Sequence, residues 1–406
     1  MATTKERNRT GVVEPVSKDE YLSAVEAMDF LGVNAQTLYA YVSRKGIRSR
    51  PVPGTRQRRY WKNDIEQLRR KKRPPDMAGN SLKQESEITL ISDNALFYRG
   101  QNAATLAQTA SFETVAALLW GVDEEQAFGA VPPQTPALWQ RIDKLLAGEI
   151  SINRATALFP LLEEANPKAF DLSHAGMART GADILRSLAA ITVHAAKPTA
   201  EPIHLFLTRE LKLSSHESEL VRRMLVLSAD HGFERGTHAV RALAGTGITP
   251  WRTVIGGLSV TLGRESKIGG FDSINRLVSE IAASSDPRGV IIQRIRASDS
   301  LPGFGSSVYP HGDPRARALF GFCSEVYVND TAFRRLSEAI QAVKEIRALE
   351  PNFAFACIFV GLKLGFGPHE SLFHVGRAAG WIAHTIEQYQ YGEMNRQKGI
   401  YRGPLP

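Results

Sequence analysis

Along most of the chain, apolar positions recur at the three- and four-residue spacing of amphipathic helices. The runs 105–119, 136–146, 176–195, 217–227, 237–244, 253–262, 273–283, 314–326, 332–347, 353–364 and 370–388 each present one apolar face, and Gly or Pro separates most of them. Strand-like alternation is scarce; only 87–92 reads as a short extended segment. The pattern predicts an all-α body from residue 87 to 406, with its chemistry in the loops between helices.

The first 75 residues read differently. Ser23 and Glu26 have the spacing of a capping box, and Ala24, Ala27, Met28 and Leu31 follow at helical spacing. Gly32 stops this helix, and Asn34 caps a second one running from 35 to about 44. Leu38 and Val42 fall on its inner face, which leaves Gln36, Thr37, Tyr39, Ala40 and Ser43 outward. Two short helices around a Gly-containing turn are the signature of a helix-turn-helix. Two extended runs, 47–52 and 55–61, then flank Pro53-Gly54 and predict a hairpin whose second arm carries Arg56, Arg58 and Arg59. Asp64 opens a third short helix with Ile65 and Leu68 inward, and a basic run at 69–73 ends at Pro74-Pro75.

Charge sharpens this division. The net charge is +8, yet residues 1–75 alone hold 17 Lys/Arg against 8 Asp/Glu, leaving 33 against 34 for the rest. A basic module on a neutral body points to a polyanion partner; a basic tail kept for solubility and a helical protein-binding module are the bland alternatives. Residues 21–73 resemble the winged helix-turn-helix of the MerR and excisionase families. That resemblance implies a second helix in the DNA major groove, with Gln36, Thr37, Tyr39 and Arg44 facing it, and wing arginines Arg56, Arg58 and Arg59 on phosphates. No outward Asn/Arg pair is diagnostic of a particular base pair. Residues 1–20 read as a disordered N-terminus and 74–86 as a linker.

Composition excludes other classes. With 43% hydrophobic and 23% charged residues the chain is of globular type, and Cys323 and Cys357 lack metal-ligand spacing and are too few for a disulfide framework. The polar N-terminus has no signal-peptide core, and the longest apolar run, 353–362, ends at Lys363, so the expectation is a cytoplasmic protein with no membrane partner and no metal.

Several loops of the body resemble those of citrate synthases. They are Phe97-Tyr98-Arg99-Gly100, Ala229-Asp230-His231, Lys267-Ile268-Gly269-Gly270, Leu301-Pro302-Gly303-Phe304-Gly305, Asp313-Pro314-Arg315-Ala316, Pro351-Asn352-Phe353-Ala354-Phe355, and the finish from Arg377 through Trp381 and His384 to Arg396 and Tyr401-Arg402-Gly403-Pro404. The resemblance implies helical large and small domains, the small one at roughly 270–375, and condensation of acetyl-CoA with oxaloacetate by an Asp and two His. Those three positions fall here on Ala354, Ile268 and Ser306. Alanine cannot take a proton, and isoleucine cannot donate to an enolate. Lys267, Glu265 and His311 lie nearby as candidate substitutes.

The positions that grip oxaloacetate in the family fall on His231, Arg315, Arg377 and Arg396, the last reaching in from the other subunit, and all keep the family's residue types. Taken singly, each also reads as an ordinary structural contact. Leu301, Pro302, Gly303, Phe304 and Gly305 correspond to the loop that wraps the adenine of coenzyme A. Ser307 and Pro310 replace its usual basic residues, Arg294 and Arg296 are the nearby alternatives, and Gly232 and Glu234 depart from the pattern beside His231. The reading is thus a DNA-binding regulator whose body binds a di- or tricarboxylate such as oxaloacetate or citrate as a homodimer. It needs no resident cofactor, and a coenzyme A thioester is a candidate ligand or substrate. Two alternatives stay open: a citrate or methylcitrate synthase with displaced catalytic groups, and a non-catalytic subunit paired with an intact paralogue.

Overall fold

The computed structural model describes residues 21–45, 47–55, 57–62, 64–65, 68, 85–263, 270–367 and 372–392. The chain divides into two compact units, the first reaching Glu85 and the second running from Ser86 to Asn395.

In the first unit the N-terminal signals act as their chemistry predicts. Ser23 Oγ accepts the Glu26 amide (3.2 Å) and Glu26 Oε2 accepts the Ser23 amide (2.7 Å), starting α1 (Ala24–Leu31). Gly32, at φ +62°, ends it in the left-handed region, where a residue without Cβ is unstrained. Asn34 Oδ1 accepts the Thr37 amide (2.9 Å) at the start of α2 (Ala35–Lys45). The hairpin forms from β2 (Ser49–Pro51) and β3 (Arg58–Trp61). A strand the periodicity did not predict, β1 (Tyr21–Leu22), pairs with the other side of β3. Ala27, Leu31, Leu38, Ile47, Tyr60, Ile65 and Leu68 form the core. Asp64 clasps Arg48 through both carboxylate oxygens, at 3.0 Å each.

The second unit opens with a small antiparallel sheet where the pattern predicted only an extended segment. It comprises β4 (Thr89–Ser92), β5 (Ala95–Tyr98) and β6 (Gln101–Asn102). The turn after β4 places Asp93 and Asn94 at φ +49° and +56°, the geometry of a tight two-residue hairpin. The predicted helix over 105–119 is two helices, α3 (Ala103–Thr109) and α4 (Phe112–Trp120). Ala110 is extended between them and Ser111 Oγ caps the second by accepting the Thr114 amide (2.9 Å).

There follow α5 (Glu124–Ala127), α6 (Trp139–Leu145), α7 (Ser151–Ala165), α8 (His174–Thr192), α9 (Ile203–Leu211), α10 (Ser215–Ser228), α11 (Arg235–Ala244) and α12 (Pro250–Thr261). Then come α13 (Phe271–Ala283), α14 (Pro287–Arg296), α15 (Pro314–Val326), α16 (Thr331–Arg347), α17 (Phe353–Lys363) and α18 (Phe373–Tyr391). The helical pattern missed α5, α7, α9 and α14. In α7 the reason is physical: Pro160 sits mid-helix and reads as a breaker. The helix survives because Ile152, Ala155, Leu158, Phe159 and Leu162 bury its inner face.

Helix α18 is the axis of this unit. It is buried from Phe373 to Gln388 and packs on α4, α8, α10, α11 and α12. Helices α13, α14, α15, α16 and α17 pack on one another. Among the described residues no helix is long and apolar enough to cross a membrane.

Candidate functional site

The site begins where α10 ends. Tyr98 Oη, fully buried, donates to the Val226 carbonyl (3.1 Å) and accepts the Asp230 amide (3.3 Å), so the β5 strand holds the last turn of α10. Helix α18 crosses this point closely. The Gly380 amide donates to the Ala229 carbonyl (2.8 Å), and a Cβ on Gly380 would stand 2.3 Å from Asp230 Oδ1. Only glycine permits that approach, and it brings Arg377, one turn earlier, beside Asp230 and His231.

Asp230 is fully buried. Its Oδ2 receives Thr89 Oγ1 (2.6 Å), the Gly232 amide (2.8 Å) and His384 Nε2 (3.4 Å). Burial opposes its charge, but His384, Arg377 and the Thr89 hydroxyl outweigh it and hold the carboxyl well below the usual carboxylate range. His231 is pushed the other way: burial, then the cations Arg315 and Arg377, lower it well below the usual imidazole value and keep the ring neutral at neutral pH. Its Nε2 lies 3.0 Å from Tyr309 Oη, and burial pushes that phenol up to about 12.

The two arginines differ. Arg315 spends its fork on Asp313, with Nε to Oδ1 at 3.0 Å and Nη2 to Oδ2 at 2.8 Å, and lies over the Phe353 ring at 4.6 Å. Arg377 is only 3% exposed, with its Cζ 5.1 Å from the Phe373 ring centroid. Its Nε and Nη1 are buried and have no hydrogen-bond partner among the described residues. Two desolvated guanidinium donors are costly to leave unmatched, and their natural complement is a carboxylate.

Ser306 and Ala354, two of the three positions that the resemblance aligns with catalytic residues, lie beside loops joined by main-chain bonds. The Gly305 amide donates to the Glu350 carbonyl and the Asn352 amide to the Gly303 carbonyl, both at 2.8 Å. Gly303, at φ +84°, has no room for a Cβ, which would lie 2.7 Å from the Phe355 ring. Phe304 packs at a tilt against Phe355, with centroids 4.8 Å apart and ring planes 56° to each other. Ser306 Oγ turns back to accept the Val308 and Tyr309 amides, both at 3.1 Å. Ala354 stands in the first turn of α17, which Asn352 caps at the Phe355 amide (3.1 Å).

Of the residues the sequence singled out, the structure gathers His231, Arg315 and Arg377 at one place. Ile268, Lys267, Glu265, Arg396 and Arg56 lie outside the described residues, as does the side chain of Arg44. His311 is exposed, with its carbonyl accepting from Arg317. Arg294 pairs with Glu280 at the surface. Glu234 caps α11 at the Gly236 amide (3.0 Å) and accepts Trp381 Nε1 (3.2 Å). Gln36 and Tyr39 are exposed on α2 and Thr37 is half-buried, while Arg58 reaches across the hairpin to Ser49 Oγ (2.9 Å). Arg59 is half-buried on the same strand. Sequence reasoning missed the roles of Tyr309, Thr89 and Asp230; only Asp230 carried a signal, as the middle residue of a recognised motif. Among the described residues no cluster of His, Cys, Asp and Glu is placed to hold a metal ion.

Comparisons place this geometry among known proteins. A family model described as citrate synthase, C-terminal domain, matches residues 78–402. The chain is 25% identical to Citrate synthase 2 of Bacillus subtilis (strain 168) over 355 residues, spanning 79% of this chain and 93% of that protein. It is 29% identical to the citrate synthase of Helicobacter pylori (strain J99) over 213 residues, 48% of this chain and 49% of that protein. Among solved structures, the citrate synthase of Thermotoga maritima MSB8 matches with TM-score 0.66 at 20% identity, covering 82% of this chain and 97% of that one. The ternary complex of the Thermoplasma acidophilum enzyme with carboxymethyl coenzyme A and oxaloacetate matches with TM-score 0.67 at 18% identity, with the same coverage.

Proposed function

The chain belongs to the citrate synthase family, and on that premise we propose that its body binds a di- or tricarboxylate without carrying out the family's condensation, while residues 21–73 bind DNA as a winged helix-turn-helix. The observation that carries the first half is Arg377, a buried guanidinium with two unmatched donors. Beside it stand a neutral His231 and the Tyr309 hydroxyl, groups suited to a ketone or hydroxyl oxygen. Ala354 offers no base, Ser306 is turned into its own loop, and Ile268 has no polar atom. Losing one such group costs at least about 10²-fold in rate, and losing a base with its electrophiles costs more.

The N-terminal half of the proposal rests on the capped helix pair, the hairpin and the local excess of positive charge. The body acts as a homodimer, with Arg396 of one subunit completing the pocket of the other, and a coenzyme A thioester is an accessory ligand at Leu301–Gly305. Two linked DNA-binding units call for a pseudo-palindromic site.

The names of the relatives favour a second reading, a synthase with displaced groups. One set of measurements separates the two. Citrate or oxaloacetate should raise the melting temperature of the wild chain and not of Arg377→Ala, with no thiol released from acetyl-CoA plus oxaloacetate. Thiol release at synthase rates would overturn the regulator. DNA binding should weaken steeply with salt and favour the protein's own upstream region over random DNA; failure of both removes the DNA half.

A further inference from the structure

A cavity of about 240 Å³ lies between the start of α10, which lines it with Ser214, His216 and Glu217, and the end of α15, which lines it with Glu325, Val326 and Tyr327. It is remote from the candidate site. His231 follows the far end of α10 and Arg315 stands at the far end of α15, and helices of 14 and 13 residues are each about 20 Å long. The cavity is smaller than the roughly 300–1,000 Å³ of sites for drug-sized molecules, so its ligand is small.

The lining sets the chemistry. Tyr327 is only 8% exposed, and its Oη is buried with no hydrogen-bond partner among the described residues. An unmatched buried hydroxyl is costly, and a ligand that bonds to it removes the cost. Burial and the nearby Glu217 carboxylate push the phenol up, so the hydroxyl keeps its proton. The capping box of α10 uses one oxygen of Glu217: Oε2 accepts the Ser214 amide (2.9 Å) and the Ser214 hydroxyl (2.8 Å). Glu325 is exposed, and the last turn of α15, where carbonyls carry the negative end of the helix dipole, has no basic residue. Lys363, whose ammonium lies 5.1 Å from the Tyr327 ring centroid, is paired with Asp330 at 2.6 Å.

We propose that this cavity binds a small alkyl diammonium ion, one ammonium donating to Tyr327 Oη and Glu217, the other to Glu325 at the C-terminal end of α15. An anion is excluded by the two acidic walls. A metal ion is the poorer match: among the described residues no three His, Cys, Asp or Glu side chains converge as a metal site requires, so His216, Glu217 and Glu325 are not gathered at one point. A diamine spans such a spacing, and its methylenes meet Val326. The site stands independently of the carboxylate and DNA readings.

Calorimetric titration of the full chain with 1,4-diaminobutane at constant ionic strength, with magnesium chloride and sodium chloride as controls, tests this. The expected result is saturable binding of one diamine per chain and a matching rise in melting temperature. Tyr327→Phe should weaken binding by at least about tenfold and yet melt no lower than the wild chain, because the hydroxyl it loses has no partner without ligand. Glu325→Gln, at an exposed position, should weaken binding several-fold. Glu125→Gln, also exposed but on α5, should leave it unchanged. Absence of saturable binding overturns the site, and so does equal binding by magnesium. Binding that survives both Tyr327→Phe and Glu325→Gln puts the diamine elsewhere and overturns it too. A marked loss of stability in ligand-free Tyr327→Phe would mean that the hydroxyl is already engaged, which is equally fatal.

Discussion

His231 Nε2 lies 3.0 Å from the phenolic oxygen of Tyr309. Tyr309 is buried and His231 half-buried, and each is held in its neutral form at neutral pH, so the pair offers hydrogen bonding without charge. On the function proposed above, such a pair would recognise a polar oxygen through direction and leave charge recognition to Arg377.

The His231 ring should therefore show no titration by NMR where a free imidazole titrates, near pH 6.5. Its folded pKa lies below the unfolded one, so its contribution to stability is complete above the unfolded value and is lost as pH falls, because only the unfolded chain takes the proton. Denaturant titrations from pH 7 downward should show a smaller acid loss in His231→Gln than in the wild chain. A wild-type ring that protonates near pH 6.5 would contradict the buried, cation-flanked environment.

Asp183 gives the opposite dependence. Burial raises its carboxyl to about 6, against the help of Arg186 and of Asn166 Nδ2 at 3.0 Å. A raised folded pKa means stability that is fully present below the unfolded value of 3.8 and lost as pH rises through about 6. Asp183→Asn should match the wild chain near pH 4 and exceed it at pH 7.5 by on the order of 2 kcal/mol, read as denaturation midpoints.

Gly380→Ala tests the close crossing of α18 over α10. Its Cβ would meet Asp230 Oδ1 at 2.3 Å and the Ala229 carbonyl at 2.4 Å, and the second of these is backbone that cannot swing aside. The expected cost is about 3 kcal/mol of stability by urea unfolding, together with loss of the citrate-induced melting shift. A neutral effect on both would mean that the crossing does not hold Arg377 in place.

On the same proposal Ala354, Ser306 and Ile268 stand in place of catalytic groups, and refilling them should bring chemistry. Ala354 occupies the first turn of α17, where a helix N-terminus favours a carboxylate, so Ala354→Asp is tolerated. Alone it should release no thiol from acetyl-CoA and oxaloacetate, because isoleucine and serine would still stand at the other two positions. Combined with Ser306→His and Ile268→His, it should gain at least about 10²-fold over the wild chain. A wild chain that already turns over would undo the reading of these positions as inactive.

Much of this was legible in the sequence because the relevant chemistry is local. The Ser23–Glu26 cap, the Gly32 stop and the Asn34 cap depend on residues three or four apart, and all form as their side chains dictate. Helix α7 was hidden because its stability comes from tertiary burial that overrides Pro160, and β1 because two residues carry no period. At the site, motif order identified Arg315 and Arg377 alike. Only three-dimensional placement distinguishes the arginine neutralised by Asp313 from the one with open donors. Likewise Thr89, 141 positions away from Asp230, gives no linear hint of that contact.

The seam between the loops at 303–305 and 350–352 has a consequence for how such a protein can change. It is stitched by amides, carbonyls and a pair of phenylalanine rings packed at a tilt, and uses neither the side chain of Ser306 nor that of Ala354. Architecture and reactivity are therefore carried by different atoms of the same few residues. A change of side chain at Ser306 or Ala354 leaves the main-chain stitching of the seam untouched, and the shape of these loops does not depend on which side chains stand there.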